Sequence, residues 1–265
     1  MLRRHLAGTA RASCPRQWGR GRPHDSRRDG GATFCYYAPT MKRVVIPELL
    51  DAGSGTVAEI ATALSDLHHI NQWFGGIAAT QSMIAQVARK VDCRLLSLLE
   101  VAAGAGYVPE SVSARMQKLG VQLQVTLLDR AHSHLKNGSG NGTSVVAGDA
   151  LALPFADGSF DLVSCCLFVH HLEPAQVVQF VNEGLRVCRA AVIINDVVRD
   201  PIHLALVYLS LPLYRSHFTH HDAPASVRRA YTVEEMHQML LQTTAASVEI
   251  ERHPLYRMGA IAWKR

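Results

Sequence analysis

No run of this 265-residue chain stays apolar for the roughly 18 positions that a membrane-spanning helix needs. The longest apolar stretch, 202–213, is broken by His203, Ser210 and Pro212, so no integral membrane segment is expected. Six cysteines are scattered (Cys14, Cys35, Cys93, Cys165, Cys166, Cys188) with no C-x-x-C pair. That pattern signals neither a zinc site nor a disulfide framework, and it fits a reducing, cytoplasmic setting; no metal site is expected. A basic surplus is missing as well. The formal charge of +5 is concentrated in residues 1–40, whose eight arginines and two aspartates give +6, leaving −1 for the other 225 residues. A body without excess cations is a poor nucleic-acid binder, so nucleic acid is not an expected partner.

Residues 1–40 mix Arg, Gly, Pro and Ser without apolar periodicity, and are expected to be a disordered basic extension. No apolar run follows their arginines, so a secretory signal is not indicated, and Met41-Lys42-Arg43 looks like a natural start. Residues 41–92 read as an N-terminal helical cap. Val57, Ile60, Ala61, Leu64 and Leu67 share one helical face, with Glu59, Ser65 and Asp66 opposite, and a second helix covers 77–91. Trp73 and Phe74, just before Gly75-Gly76, read as core of this cap or, by the family resemblance described below, as aromatics that close over the ligand.

The chain is organised around 95–106, LLSLLEVAAGAG, an apolar strand followed by a turn of small residues. A helix then carries Val112, Met116 and Leu119, with Gly120 placed to end it. Further strands are predicted over 122–128, ending on Asp129, and over 144–147, ending on Gly148-Asp149-Ala150. Next come Leu153-Pro154-Phe155, the run from Gly158 to Val163 and a fourth strand leading to His170-His171. Pro174 opens a helix, and a fifth strand over 191–194 ends on Asn195-Asp196, candidates for the pocket or for a capping role. A capping box at Thr232 and Glu235 starts a last helix, before two antiparallel strands over 246–252 and 257–263.

Glu100-x-Ala-x-Gly-x-Gly, Asp129, Gly148-Asp149-Ala150 and the Leu-Pro-Phe…Ser-Phe-Asp-Leu-Val run together resemble class I S-adenosylmethionine-dependent methyltransferases. The resemblance covers roughly residue 95 to the C-terminus. It implies an α/β, Rossmann-like fold: a seven-stranded, mostly parallel sheet with helices on both faces and an N-terminal helical cap. It divides the chain into 1–40, the cap 41–92, and an S-adenosylmethionine-binding domain 93–265 with a substrate-pocket insertion at 197–231. The cofactor-binding positions it implies are Glu100, Ala102, Gly104, Gly106, Asp129, Asp149 and Ala150. Two departures stand out, Glu100 in place of Asp and Ala102 in place of the first turn glycine. The alanine is tolerable only where the backbone keeps φ negative. A nicotinamide-type Gly-x-Gly-x-x-Gly would need glycine at position 109, where Pro109 stands.

The 70–76 segment Ile-Asn-x-Trp-Phe-Gly-Gly and the 221–231 segment His-Asp-x-Pro-x-Ser-Val-Arg-Arg-Ala-Tyr also resemble a small-molecule branch of the family. That branch is of ubiquinone/menaquinone and polyketide-associated type, which implies a phenolic, quinol or polyketide hydroxyl as acceptor. A phenol must lose its proton, and imidazole is the side chain suited to take it near neutral pH. His171 follows the fourth strand and His221 lies in the insertion, so these are the two candidate catalytic residues. The fourth strand is not followed by an Asn/Asp-Pro-Pro-aromatic motif or a Pro-Cys pair, which disfavours nucleobase methylation. The apolar part of the insertion suits a lipophilic acceptor, a homodimer face or a membrane-surface face. An oxidoreductase using NAD and a non-catalytic S-adenosylmethionine-binding protein are the alternatives.

Overall fold

A computed structural model describes residues 41–52, 55–130 and 143–265 of the chain; the expectations placed on 1–40 lie outside the described residues. The strands are β1 (Leu95–Val101), β2 (Gln122–Asp129), β3 (Ser144–Ala147), β4 (Phe160–Cys166), β5 (Cys188–Val197), β6 (Ser247–His253) and β7 (Arg257–Trp263). They form one sheet in the order β3-β2-β1-β4-β5-β7-β6. The first five are parallel neighbours, and β7 runs antiparallel to both β5 and β6. The order reverses at β1, which opens a crevice at the carboxyl ends of the central strands.

The parallel centre forms where the sequence is continuously apolar. Leu98, Leu99, Val163 and Ile193 are fully buried, as expected of strands covered on both faces. Helices α2 (Gly76–Lys90) and α3 (Tyr107–Lys118) pack on each other and on the sheet, as do α4 (Pro174–Val187) and α7 (Val233–Leu240). Helix α4 begins with proline in its first turn, where the missing N–H costs nothing. Its Gly184 lets it approach β5 so closely that a Cβ there would sit 2.7 Å from Val192 Cγ2. Helix α3 stops at Gly120, whose φ is +74°. The Thr232–Glu235 capping box is present at the start of α7.

Several elements differ from the sequence expectation. Helix α1 (Val57–Trp73) starts from a second capping box, Thr56–Glu59, and runs on to Trp73. Its buried side is turned away from the predicted stripe: Val57 is exposed, whereas Ala63, Asp66 and Asn71 are buried. The Asp66 carboxylate accepts from the backbone N–H groups of Arg215 and Ser216, at 3.0 and 2.8 Å, just ahead of α6 (His217–Arg229). A carboxylate at a helix N-terminus satisfies donors that would otherwise be orphaned, which is why an acid is tolerated there. The insertion, for which no elements are assigned from the sequence, is helical. It folds as α5 (Pro201–Ser210), a 3₁₀ turn (Leu211–Leu213) and α6. Cys165, Cys166 and Cys188 are free thiols.

Candidate functional site

The carboxyl ends of β1, β2, β3 and β4 open into a cavity of about 1250 Å³. One wall is the turn after β1. Gly104 (φ +53°) and Gly106 (φ +72°) both take the left-handed conformation that glycine adopts without strain. A Cβ at Gly106 would lie 2.6 Å from Leu127 Cδ1, so the position is closed to any side chain. Gly106 itself does not line the cavity; it shapes the turn that does. The Gly104 N–H donates to Asp129 Oδ2 at 2.8 Å, and the Ala103 N–H to the Leu128 carbonyl at 3.1 Å. The Gly148 N–H donates to the Asp129 carbonyl at 3.1 Å, and Asp149 Oδ1 accepts from the Leu151 N–H at 2.9 Å. Three strand ends are thereby tied into one rim, and Glu100, Ala102, Gly104, Asp129, Asp149 and Ala150 all face the cavity.

Ala102 corrects the sequence reading. Its φ is +55°, not negative, so the residue carries the strain that a glycine would relieve. Ala102→Gly is expected to raise unfolding stability by about 1 kcal/mol, read as an upward shift in a denaturant or thermal melt. No change, or a loss, would mean that the flexibility glycine adds to the unfolded chain outweighs the relieved strain.

Glu100 is buried at the base of the same wall, where it accepts a hydrogen bond from the Ser164 hydroxyl. Burial pushes its carboxyl up to about 7, and the Ser164 hydrogen bond only partly opposes this.

The opposite wall carries a polar cluster that the sequence disclosed only in part. After β4, a 3₁₀ turn (Val169–His171) presents two adjacent imidazoles, tilted by 37° with ring centroids 4.2 Å apart. His170 is buried, with Nδ1 2.7 Å from Asp196 Oδ1 and Nε2 3.3 Å from Glu48 Oε1. Burial alone would lower its pKa, but Asp196 and Glu48 outweigh it and raise the ring to about 10. His171 has Nδ1 2.8 Å from Asp51 Oδ2 and Nε2 3.7 Å from Glu48 Oε2. Glu48 also accepts from the Ser226 hydroxyl at 2.7 Å. Despite its own burial, Glu48 is held below the usual carboxylate range by His170 and His171. Arg43 fixes the turn from behind, donating to the carbonyls of His170 and Leu172, and Arg229 donates to that of His171.

Of the two histidines singled out in the sequence, only His171 lines the cavity. His221 lies on α6 with its side chain 42% exposed and is not on the cavity wall. It pairs directly with its neighbour Asp222 (Nδ1 to Oδ1, 2.8 Å), whose carboxylate also caps the backbone N–H groups of Leu49 and Leu50. Phe74 lines the cavity, but Trp73 points away, exposed and stacked on His69. Asn195 and Asp196 are buried supports. Asn195 Nδ2 donates to the Gly76 carbonyl and Thr80 Oγ1, at 2.7 and 2.8 Å, and Asp196 holds His170. Glu48, Asp51 and His170 were missed. The first two lie in a stretch with no periodicity, and the doublet His170-His171 was the one available signal.

The walls from α1, α5 and α6 mix apolar side chains with polar ones such as Asn71, His203 and Thr219. Leu64 and Leu67 of α1, Leu206 and Val207 of α5, and Phe218 of α6 face inward, while Ile202, Leu209 and Leu213 are exposed on the outside.

Residues 99–194 match the family model described as a methyltransferase domain. Among solved structures, the chain is similar to a protein of Nostoc punctiforme PCC 73102 described as a candidate O-methyltransferase. The TM-score is 0.51 at 16% identity, covering 74% of this chain and 59% of that one, so this chain spans less than two thirds of that protein's length. It is also similar to the plantazolicin methyltransferase BpumL, solved with a monoazolic desmethyl analogue and S-adenosylhomocysteine. There the TM-score is 0.57 at 11% identity, over 77% of this chain and 90% of that one. The related BamL gives 0.56 at 14% identity, over 74% and 89%. No curated protein sequence matches the chain. At these identities the structural likeness establishes the fold, which is that of class I methyltransferases.

Proposed function

We infer that this chain, an S-adenosylmethionine-dependent methyltransferase of class I fold, methylates the hydroxyl of a lipophilic small molecule of phenolic, quinol or polyketide type. The observation that carries this reading is that one cavity joins the glycine turn and Asp129 to the Glu48–His170–His171 cluster. A cofactor half and an acceptor half therefore share an interior lined between them by Leu64, Leu67, Val207 and Phe218.

The residues fit the cofactor. Asp129 would offer its carboxylate at the end of β2 to the ribose hydroxyls, and Asp149 and Ala150 would border the base. The backbone of Ala102 to Gly104, with Glu100 beneath, would hold the methionine portion. S-adenosylmethionine supplies an electrophilic methyl group on a sulfonium, so the protein's task is to align the acceptor and exclude water. The cap (41–92) and the insertion (197–231) close the cavity over that task. In this reading His171 receives the acceptor's proton, and His221, off the wall, has no part in it. Among the described residues no helix is long and apolar enough to cross a membrane. A cytoplasmic setting belongs to the same proposal, as does contact of the exposed α5 face with a second apolar surface.

The test is ligand-dependent stability followed by turnover. S-adenosylhomocysteine at a hundredfold excess over its dissociation constant is expected to stabilise the protein by about 2.7 kcal/mol. Asp129→Ala should remove most of that shift, and a panel of phenols and quinols should give methylated product. A shift with NAD but not with S-adenosylhomocysteine would hand the case to an oxidoreductase. Binding without turnover on any acceptor would indicate a non-catalytic binder.

A further inference from the structure

We propose that Glu48, His170 and His171 form a binding site for one divalent transition cation, such as zinc, cobalt or manganese, in the acceptor half of the cavity. The inference deepens the reading above, since the cation would sit where the acceptor hydroxyl is expected.

The first argument is convergence. The ligand atoms of the three residues lie within 4.8 Å of one another. His170 Nε2 stands 3.3 Å from one Glu48 oxygen, and His171 Nε2 stands 3.7 Å from the other. Ligands held at 2.0–2.2 Å on adjacent vertices of a coordination shell are about 3.0–3.6 Å apart, so the spacing suits a shared ion. Second, His170 Nε2 is buried without a hydrogen-bond partner, on a side chain only 2% exposed, and faces this point. Third, each ligand has a support behind it. Asp196 holds Nδ1 of His170, Asp51 lies beside Nδ1 of His171, and the Ser226 hydroxyl donates to Glu48. A carboxylate behind a histidine, orienting its second nitrogen outward, is the usual arrangement behind metal-binding imidazoles, and it occurs here twice.

Charge points the same way. Glu48, Asp51 and Asp196 bring three carboxylates to one cluster, and Arg229 is the guanidinium acting on Asp51. A divalent ion would take the place of the proton that Asp196 and Glu48 otherwise hold on His170, so the carboxylates would balance its charge. Two nitrogens and one oxygen favour a transition metal over magnesium or calcium, which prefer all-oxygen shells. All three ligands line the cavity, so the open coordination positions face the acceptor. An acceptor hydroxyl bound there would ionise more readily, its proton leaving to solvent past the exposed Asp51. His171 would then be a ligand, and the cation would replace it in activating the oxygen.

The experiment uses the full chain, stripped with chelator and titrated with cobalt(II) chloride, with S-adenosylhomocysteine thermal shift as the control for folding. Visible absorption bands saturating at one ion per chain, bleached by added zinc, are expected. His171→Ala and Glu48→Gln should each weaken binding at least tenfold, and Asp196→Asn, as a positioning change, by roughly 10–100-fold. Absence of saturable bands in wild-type protein that still shifts with S-adenosylhomocysteine would overturn the proposal. So would an unaltered cobalt spectrum in folded His171→Ala. Loss of the S-adenosylhomocysteine shift with cobalt binding intact would instead count against the cofactor reading alone.

Discussion

Replacing His171 with alanine is expected to cut methyl transfer by roughly 10²–10⁴ while S-adenosylhomocysteine binding stays unchanged. The separation follows from the fold. His171 is carried by the 3₁₀ turn after β4, whereas the proposed cofactor contacts hang from the ends of β1, β2 and β3. Arg43 and Arg229 hold the turn through its carbonyls, so truncating the imidazole should leave the backbone where it is. The loss should fall on kcat. The same magnitude is expected whether His171 takes the proton or holds a cation, and the cobalt titration separates the two. His221→Ala is the matched control: its ring is outside the cavity and the expected change is less than about twofold, within the usual range for surface substitutions. A His171→Ala enzyme that keeps nearly full rate would show that positioning alone suffices or that the acceptor arrives ionised.

What the sequence disclosed and what it concealed divide along physical lines. β3 and β7 fall at the predicted residues and β2 within one; β1 and β7 are buried along most of their length and so largely apolar, whereas the partly exposed edge strand β3 is marked by the Gly148-Asp149 turn that ends it. Those signals are local. Helix α1 misled because two of its apolar residues, Leu64 and Leu67, face the cavity, while buried Asp66 finds its partners about 150 positions later. Periodicity reports which residues avoid water; it does not distinguish a protein core from a ligand's space. The insertion was obscured differently. α5 is apolar on all sides, and α6 carries four histidine and aspartate residues and an internal Pro224, so neither shows a clean stripe. Ala102 could be located but the sign of its φ could not, since that depends on how the turn meets Leu128 and Asp129. Glu48 and Asp51 had no local signal because their role exists only after 41–52 folds against α6 and the turn that follows β4.

Glu100 should make the protein without ligand less stable as the pH rises, by about 3 kcal/mol in total. Its carboxyl goes from 4.5, its unperturbed value, to about 7 in the folded chain. The folded state therefore binds the proton more tightly than the unfolded state does. The associated stability is fully present below pH 4.5 and declines by about 1.4 kcal/mol per unit until the folded pKa is passed near 7, where it is gone. Glu100→Gln keeps the shape without the ionisation, so its stability should lose this slope and exceed that of wild type at pH 8. Burial is the dominant cause, and the Ser164 hydrogen bond opposes it only in part. A destabilising acid at a strand end is understandable if a ligand compensates it. The positive charge of bound S-adenosylmethionine, placed beside Glu100 as proposed, favours the carboxylate and expels its proton. At pH 6, calorimetry in buffers of different ionisation enthalpy should then register release of up to about one proton per cofactor bound, and Glu100→Gln should abolish it. A buffer-independent heat in wild type would place the cofactor's charge elsewhere and leave Glu100 as a cost of the fold alone.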